Sequence, residues 1–158
     1  MEDQLKTEHD IFARIARICS RSEECSSDIR KKIKDLGADE ELREKILQRL
    51  IDEKFVDDDR YVRAYVRDKF RINKWGRVKM RYYLKMKGIP DDIIEAGFEE
   101  IDPEEYANLL IKTMKEKAKS VRKSNKFEKM GQVIRFTQGR GFEPELIHRY
   151  LNNVMSQG

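Results

Sequence analysis

Apolar residues recur at helical spacing along nearly the whole chain, and no stretch sustains the period-two alternation of a half-buried strand. The spacing predicts a helix over about 58–74, a second over about 77–87 and a third over about 103–120, the last started by Asp102 and Pro103. Three segments share one pattern: Ile29–Gly37 followed by Asp39–Leu50, Met80–Gly88 followed by Pro90–Ala96, and Val133–Gly141 followed by Pro144–Leu151. Each reads as a helix, a glycine, an acidic start and a second amphipathic helix, with the glycines 51 and 53 residues apart. A glycine suits the left-handed residue that closes a helix, and the acids just after it suit the unpaired N–H groups that open the next one.

The fold class that follows is all-α, with tandem three-helix repeats forming an elongated, curved helical array. The expected division is a flexible segment 1–10, a first repeat 11–57, a second repeat 58–120 led by a basic helix 58–74, and a truncated third repeat 121–158.

Composition narrows the class. The 158 residues are 41% charged and 39% hydrophobic, too apolar for a wholly disordered chain and too charged for one thick core. Eight glycines and three prolines argue against a turn-rich sandwich or barrel. No apolar run is long enough to span a bilayer, and the opening residues lack the pattern of a signal peptide. Cys19 and Cys25 make neither a disulfide framework nor a metal spacing. The expectation is a cytoplasmic, reduced, membrane-free protein.

The distribution of charge changes the picture more than its total of +4. Residues 1–59 carry a net −5, 60–90 a net +10, 91–111 a net −8, 112–140 a net +8 and 141–158 a net −1. On a regular helix Arg60, Arg63, Arg67, Arg71 and Lys74 fall along one ridge, opposite Tyr61, Val62, Tyr65, Val66 and Ile72. The next helix adds Arg77, Lys79, Arg81 and Lys85, with Trp75, Tyr82 and Tyr83 interleaved. Arginine in these places suits bidentate contacts to phosphate or carboxylate, and the aromatics suit stacking or packing against a partner. Lys115, Lys119, Arg122, Lys123 and Lys126 form a supplementary basic contact. Salt-sensitive binding to an anionic partner is expected, and reversing Arg63, Arg67 and Arg71 to Glu should weaken it.

Catalytic patterns are missing from the sequence. There is no phosphate-binding GxxxxGKS or GxGxxG loop, and His9 and His148 lie far apart in the chain. Asp57, Asp58 and Asp59 read as a helix start rather than a calcium loop. No nucleophile–base pair, metal site or cofactor is expected, and the chain reads as a binding protein rather than an enzyme.

The stretches Phe55–Phe70 and Trp75–Ile89 resemble the bacterial RecX family: an aromatic before Asp-Asp, a basic and aromatic helix with Ala-Tyr, then a Gly-led basic helix ending Lys-Gly-Ile. Asp57, Asp58, Arg60, Tyr61, Ala64, Tyr65, Gly76, Lys87, Gly88 and Ile89 carry the match, and Arg21, Ser22, Glu23 and Glu24 resemble an upstream segment of the family. The sequence departs from the family pattern at Cys25, Ser26 and Ser27 and at Met80, Tyr82 and Tyr83. The resemblance implies a regulator of the RecA recombinase that lies along the groove of the RecA–DNA filament and inhibits its ATPase, strand-exchange and coprotease activities. It also implies weak binding to single- and double-stranded DNA, with a monomer as the expected state. A stand-alone helical DNA-binding protein is the alternative reading.

Overall fold

The computed structural model describes residues 7–122 and 125–156, and nine α-helices account for most of them. They are α1 (Glu8–Cys19), α2 (Ser26–Asp35), α3 (Glu40–Asp52), α4 (Asp58–Asp68), α5 (Arg77–Met86), α6 (Asp91–Gly97), α7 (Pro103–Ser120), α8 (Lys126–Gly139) and α9 (Pro144–Ser156). Among the described residues there is no strand, and the chain is an all-α helical-repeat protein.

The helix starts follow local chemistry. Thr7, Asp39, Asp102 and Asn125 accept hydrogen bonds from N–H groups in the first turns of α1, α3, α7 and α8. Asp57 does the same for α4, its Oδ1 accepting from the Arg60 N–H at 3.1 Å. Helix α2 has no such residue of its own: the Asp58 carboxylate instead accepts from Ser26 N at 2.7 Å and Ser26 Oγ at 2.6 Å. The three glycines of the repeated pattern, Gly37, Gly88 and Gly141, all have positive φ, at 99°, 74° and 95°.

One expected element differs. The helix from residue 58 is α-helical only to Asp68, then continues as a π-helix over Lys69–Asn73 and ends at left-handed Lys74 (φ 61°). A π turn carries more residues per turn, so Arg71 and Lys74 leave the register of Arg60, Arg63 and Arg67. The Lys74 and Trp75 N–H groups both donate to the Lys69 carbonyl, closing the segment. Ile72, expected on the buried side with Val62 and Val66, is 74% exposed, whereas those two valines are fully buried.

Two compact units divide the chain, Met1–Ala64 with Lys85–Ala96 and Tyr65–Leu84 with Gly97–Gly158. In the first, α1, α2 and α3 pack on one another around Ile11, Ile15, Ile29, Ile33, Ile46 and Leu50. Lys87 there holds Asp28 at 2.9 Å, which keeps the Lys87 pKa above its usual value through that hydrogen bond.

In the second unit α7 packs on α8 and α9, and Tyr106, Leu110 and Met114 of α7 are buried. The start of α5 meets the turn before α9 at backbone level: Gly76 N–H donates to the Arg140 carbonyl at 2.7 Å and Val78 N–H to the Gly141 carbonyl at 2.9 Å. A side chain at Gly76 would overlap the Gly141 carbonyl, so only glycine permits this approach.

Candidate functional site

The structure gives most of the stripe arginines an acidic partner. Arg60 Nε donates to Glu23 Oε2 at 2.6 Å, and its Nη2 to the carbonyls of Lys54 and Phe55 at 3.1 and 3.3 Å. Arg63 meets Asp59 at 3.1 Å and Arg67 meets Glu100 at 2.7 Å. Arg77 is tied most closely: its Nε bonds Glu143 Oε2 at 2.7 Å, its guanidinium carbon lies 3.9 Å from the Tyr106 ring centroid, and Tyr106 OH donates to Glu143 Oε1 at 2.5 Å. Burial first, and then the bond to Glu143, hold the Tyr106 phenol well above its ordinary pKa. Lys85 reaches Asp91 at 3.3 Å, and Arg81 lies over the Phe98 ring at 5.1 Å.

Arg71 and Lys74 are exposed, and Lys74 Nζ donates to the Arg71 carbonyl at 2.8 Å. These two therefore sit at the end of the ridge in a looser setting than Arg60, Arg63 and Arg67.

The interleaved aromatics form a partly open cluster. Trp75 stacks on Tyr83 at 5.4 Å between centroids, and Tyr82 meets Tyr83 edge-on at 5.2 Å. Tyr82 is 62% and Tyr83 41% exposed, so the face is not core. Lys69 and Lys79 lie over the Trp75 ring at 4.9 and 4.6 Å. Tyr65 is half-buried, and desolvation pushes its phenol up to about 12.

Of the supplementary residues, Lys119, Arg122 and Lys126 are exposed and Lys115 is half-buried, while Lys123 lies outside the described residues. The four described ones have no ion pair among the described residues. Lys112, Lys117 and Arg140, which are not among the cations expected from the sequence, line a cavity of about 500 Å³ with Lys74. The α7 part of that lining was legible, since Leu109, Lys112, Thr113, Glu116, Lys117 and Ser120 recur at helical spacing on one face. Arg140 was not, because only the packing of α7 on α8 brings it there.

The cysteines and histidines stay apart from these features. Cys19 and Cys25 are free thiols, and burial pushes Cys19 up to about 11 and raises Cys25 as well, away from thiolate reactivity. His9 and His148 are both exposed. Among the described residues no group of three or more His, Cys, Asp or Glu is placed to hold a metal ion, and no helix is long and apolar enough to cross a membrane.

Residues 57–97, the span of α4 to α6, match the family described as RecX, second three-helix domain. The regulatory protein RecX of Prosthecochloris aestuarii is 30% identical over 135 residues, which are 85% of this chain and 86% of that one. The regulatory protein RecX of Clostridium acetobutylicum is 26% identical over 163 residues, covering 99% of this chain and 75% of its own. A crystal structure of a regulatory protein RecX superposes with a TM-score of 0.83 at 25% identity, over 92% of this chain and 71% of that one. The RecX structure from Lactobacillus salivarius gives the same TM-score, 0.83, at 17% identity over 95% of each chain, a likeness of fold. The helical pattern, the Asp57–Ile89 signature and these relatives, which are named as regulatory proteins, agree: the chain belongs to the RecX family.

Proposed function

We propose that this protein regulates the RecA recombinase, binding the RecA–DNA filament along its groove and inhibiting ATP hydrolysis, strand exchange and coprotease activity during DNA repair and recombination. The observation that carries the reading is family membership, a 30% match that spans most of both chains. It acts in the cytoplasm by binding rather than by catalysis, and it needs no cofactor. The contact residues are the cations of the sequence from Arg60 to Lys85, among them exposed Arg71, and Lys115, Lys119, Arg122, Lys123 and Lys126 supplement them. Exposed Tyr82 and Tyr83 supply apolar area beside those cations. Many modest contacts along successive protomers would add through effective concentration.

The test is DNA-dependent ATP hydrolysis by the host's RecA on single-stranded DNA, titrated with this protein at low and at physiological salt. Inhibition at substoichiometric ratios, weakened by salt and by Arg71→Glu, is the expected result. An unchanged hydrolysis rate at saturating protein, with tight duplex binding in its place, would replace this reading by that of a stand-alone DNA-binding protein.

A further inference from the structure

The cavity between α7 and α8 has a mainly cationic wall. Lys74, Lys112, Lys117 and Arg140 line it against a single acid, Glu116. Among the described residues none of the four cations makes an ion pair. Three of the four heads are nonetheless held. Lys117 Nζ and the Arg140 guanidinium stand 4.8 and 4.9 Å from the centroid of the Phe136 ring. Arg140 Nη1 also donates to the Asn73 carbonyl at 3.3 Å, and Lys74 Nζ to the Arg71 carbonyl at 2.8 Å. Such contacts position a cation without neutralising it.

Like charges gathered around one shared volume repel, and an anion placed among them removes that repulsion. A single carboxylate would answer only one of the four. A ligand carrying several negative charges within a few ångströms answers all of them, and a cavity near 500 Å³ falls in the range of small-ligand sites, roughly 300–1,000 Å³. The two hydroxyls in the wall, Thr113 and Ser120, donate to the carbonyls of Leu109 and Lys117 at 2.7 and 2.8 Å. Recognition therefore rests on charge, with no donor set to read a base edge.

We propose that this cavity is a binding site for adjacent phosphate groups, as presented by a polynucleotide backbone or a nucleoside polyphosphate. It shares Lys74 with the end of the ridge that begins in α4, but its other cations come from α7 and the end of α8, and it requires no recombinase.

The experiment uses the full chain and two probes, a labelled oligothymidylate followed by fluorescence anisotropy across a salt series, and inorganic tripolyphosphate followed by calorimetry. The variant is Lys112→Glu with Lys117→Glu, and the control is Lys31→Glu with Lys32→Glu, exposed residues of α2 that alter net charge equally. Circular dichroism checks that both remain helical. The cavity variant is expected to bind the oligonucleotide roughly tenfold or more weakly and to lower the slope of log affinity against log salt by about one to two, with the control close to the parent. Oligonucleotide binding alone assigns the phosphates to a polynucleotide, and tripolyphosphate binding lost in the same variant assigns them to a free polyphosphate. Equal weakening in both variants, no binding of either probe, or an oligoglutamate that competes as well as tripolyphosphate at equal charge would overturn the site.

Discussion

Residues 60–90 and 112–140 carry net charges of +10 and +8, yet their cations live in different surroundings. In the first block Arg60, Arg63, Arg67, Arg77 and Lys85 reach carboxylates at 2.6, 3.1, 2.7, 2.7 and 3.3 Å. In the second, Lys112, Lys115, Lys117, Lys119, Arg122 and Arg140 have no such partner among the described residues. Part of the difference is where the acids go. The acidic block 91–111 supplies Asp91 to Lys85 and Glu100 to Arg67, and Glu143 comes back to Arg77 from the α8–α9 turn. Block charge thus measures composition, whereas the potential offered to a partner depends on which cations are already answered. The residues that carry the family resemblance belong to the answered region: Asp58 fastens α2, Arg60 holds Glu23, Lys87 holds Asp28 and Gly76 permits a backbone contact. They build the scaffold.

If that is so, substitutions in the two regions should separate stability from binding. The largest loss is expected for Gly76→Ala, whose methyl meets the Gly141 carbonyl, a backbone atom that cannot swing aside. A cost of about 3 kcal/mol, seen as a lowered urea midpoint with an unchanged slope, is the expectation. A midpoint at the parent value would mean that α5 does not start against the α8–α9 turn.

Next comes Arg77→Ala. It removes the ion pair with Glu143, in which the Arg77 and Glu143 side chains are only 26% and 19% exposed, and the cation over Tyr106. Glu143 keeps its bond from Tyr106 but loses its counter-charge, so about 2 kcal/mol should go, less than for a fully buried pair. The same cluster predicts a pH dependence. Tyr106 keeps its proton in the fold beyond the ordinary phenol pKa of about 10. Above that pH the unfolded chain binds fewer protons than the folded one, so stability is level below it and falls as pH rises. Phenolate absorbance should show two tyrosines, Tyr65 and Tyr106, ionising above the ordinary phenol range, and Tyr106→Phe should lessen the fall. A Tyr106 that titrates with the exposed tyrosines would break the cluster.

Much of this was legible beforehand, and what was not has a common cause. The helix starts at Asp102 and Asp57 and the left-handed glycines 37, 88 and 141 are local, set by residues a few positions apart, and they could be read from the chain. The ridge from Arg60 to Lys74 requires a regular helix, and the π turn at Lys69–Asn73 breaks it. Phe70 stacks on Tyr106, 36 residues on and 6.1 Å away between ring centroids. Such a contact, like the Arg67–Glu100 and Arg77–Glu143 pairs, depends on which helices meet, and charge periodicity carries no trace of it. The cavity was half visible for the same reason, with its α7 face in the spacing and Arg140 supplied by packing.

The smallest expected effect sharpens the comparison most. Replacing Lys112 and Lys117 by Gln removes two cations that make no ion pair among the described residues, so no acid is left without its partner; the Lys117 contact with the Phe136 ring goes, and one source of repulsion is relieved. Stability should hold within about 0.5 kcal/mol of the parent and move upward rather than down. Salt separates this from simple neutrality: screening should raise the parent's urea midpoint more than the variant's, because the parent has more repulsion to screen. Where Arg77→Ala lowers the midpoint at every salt concentration, the lysine variant should match or exceed the parent at low salt and converge with it at high salt. A loss of about 1 kcal/mol or more in the lysine variant would show that these side chains hold the fold together. The line between an answered scaffold and an unanswered cationic wall would then fall.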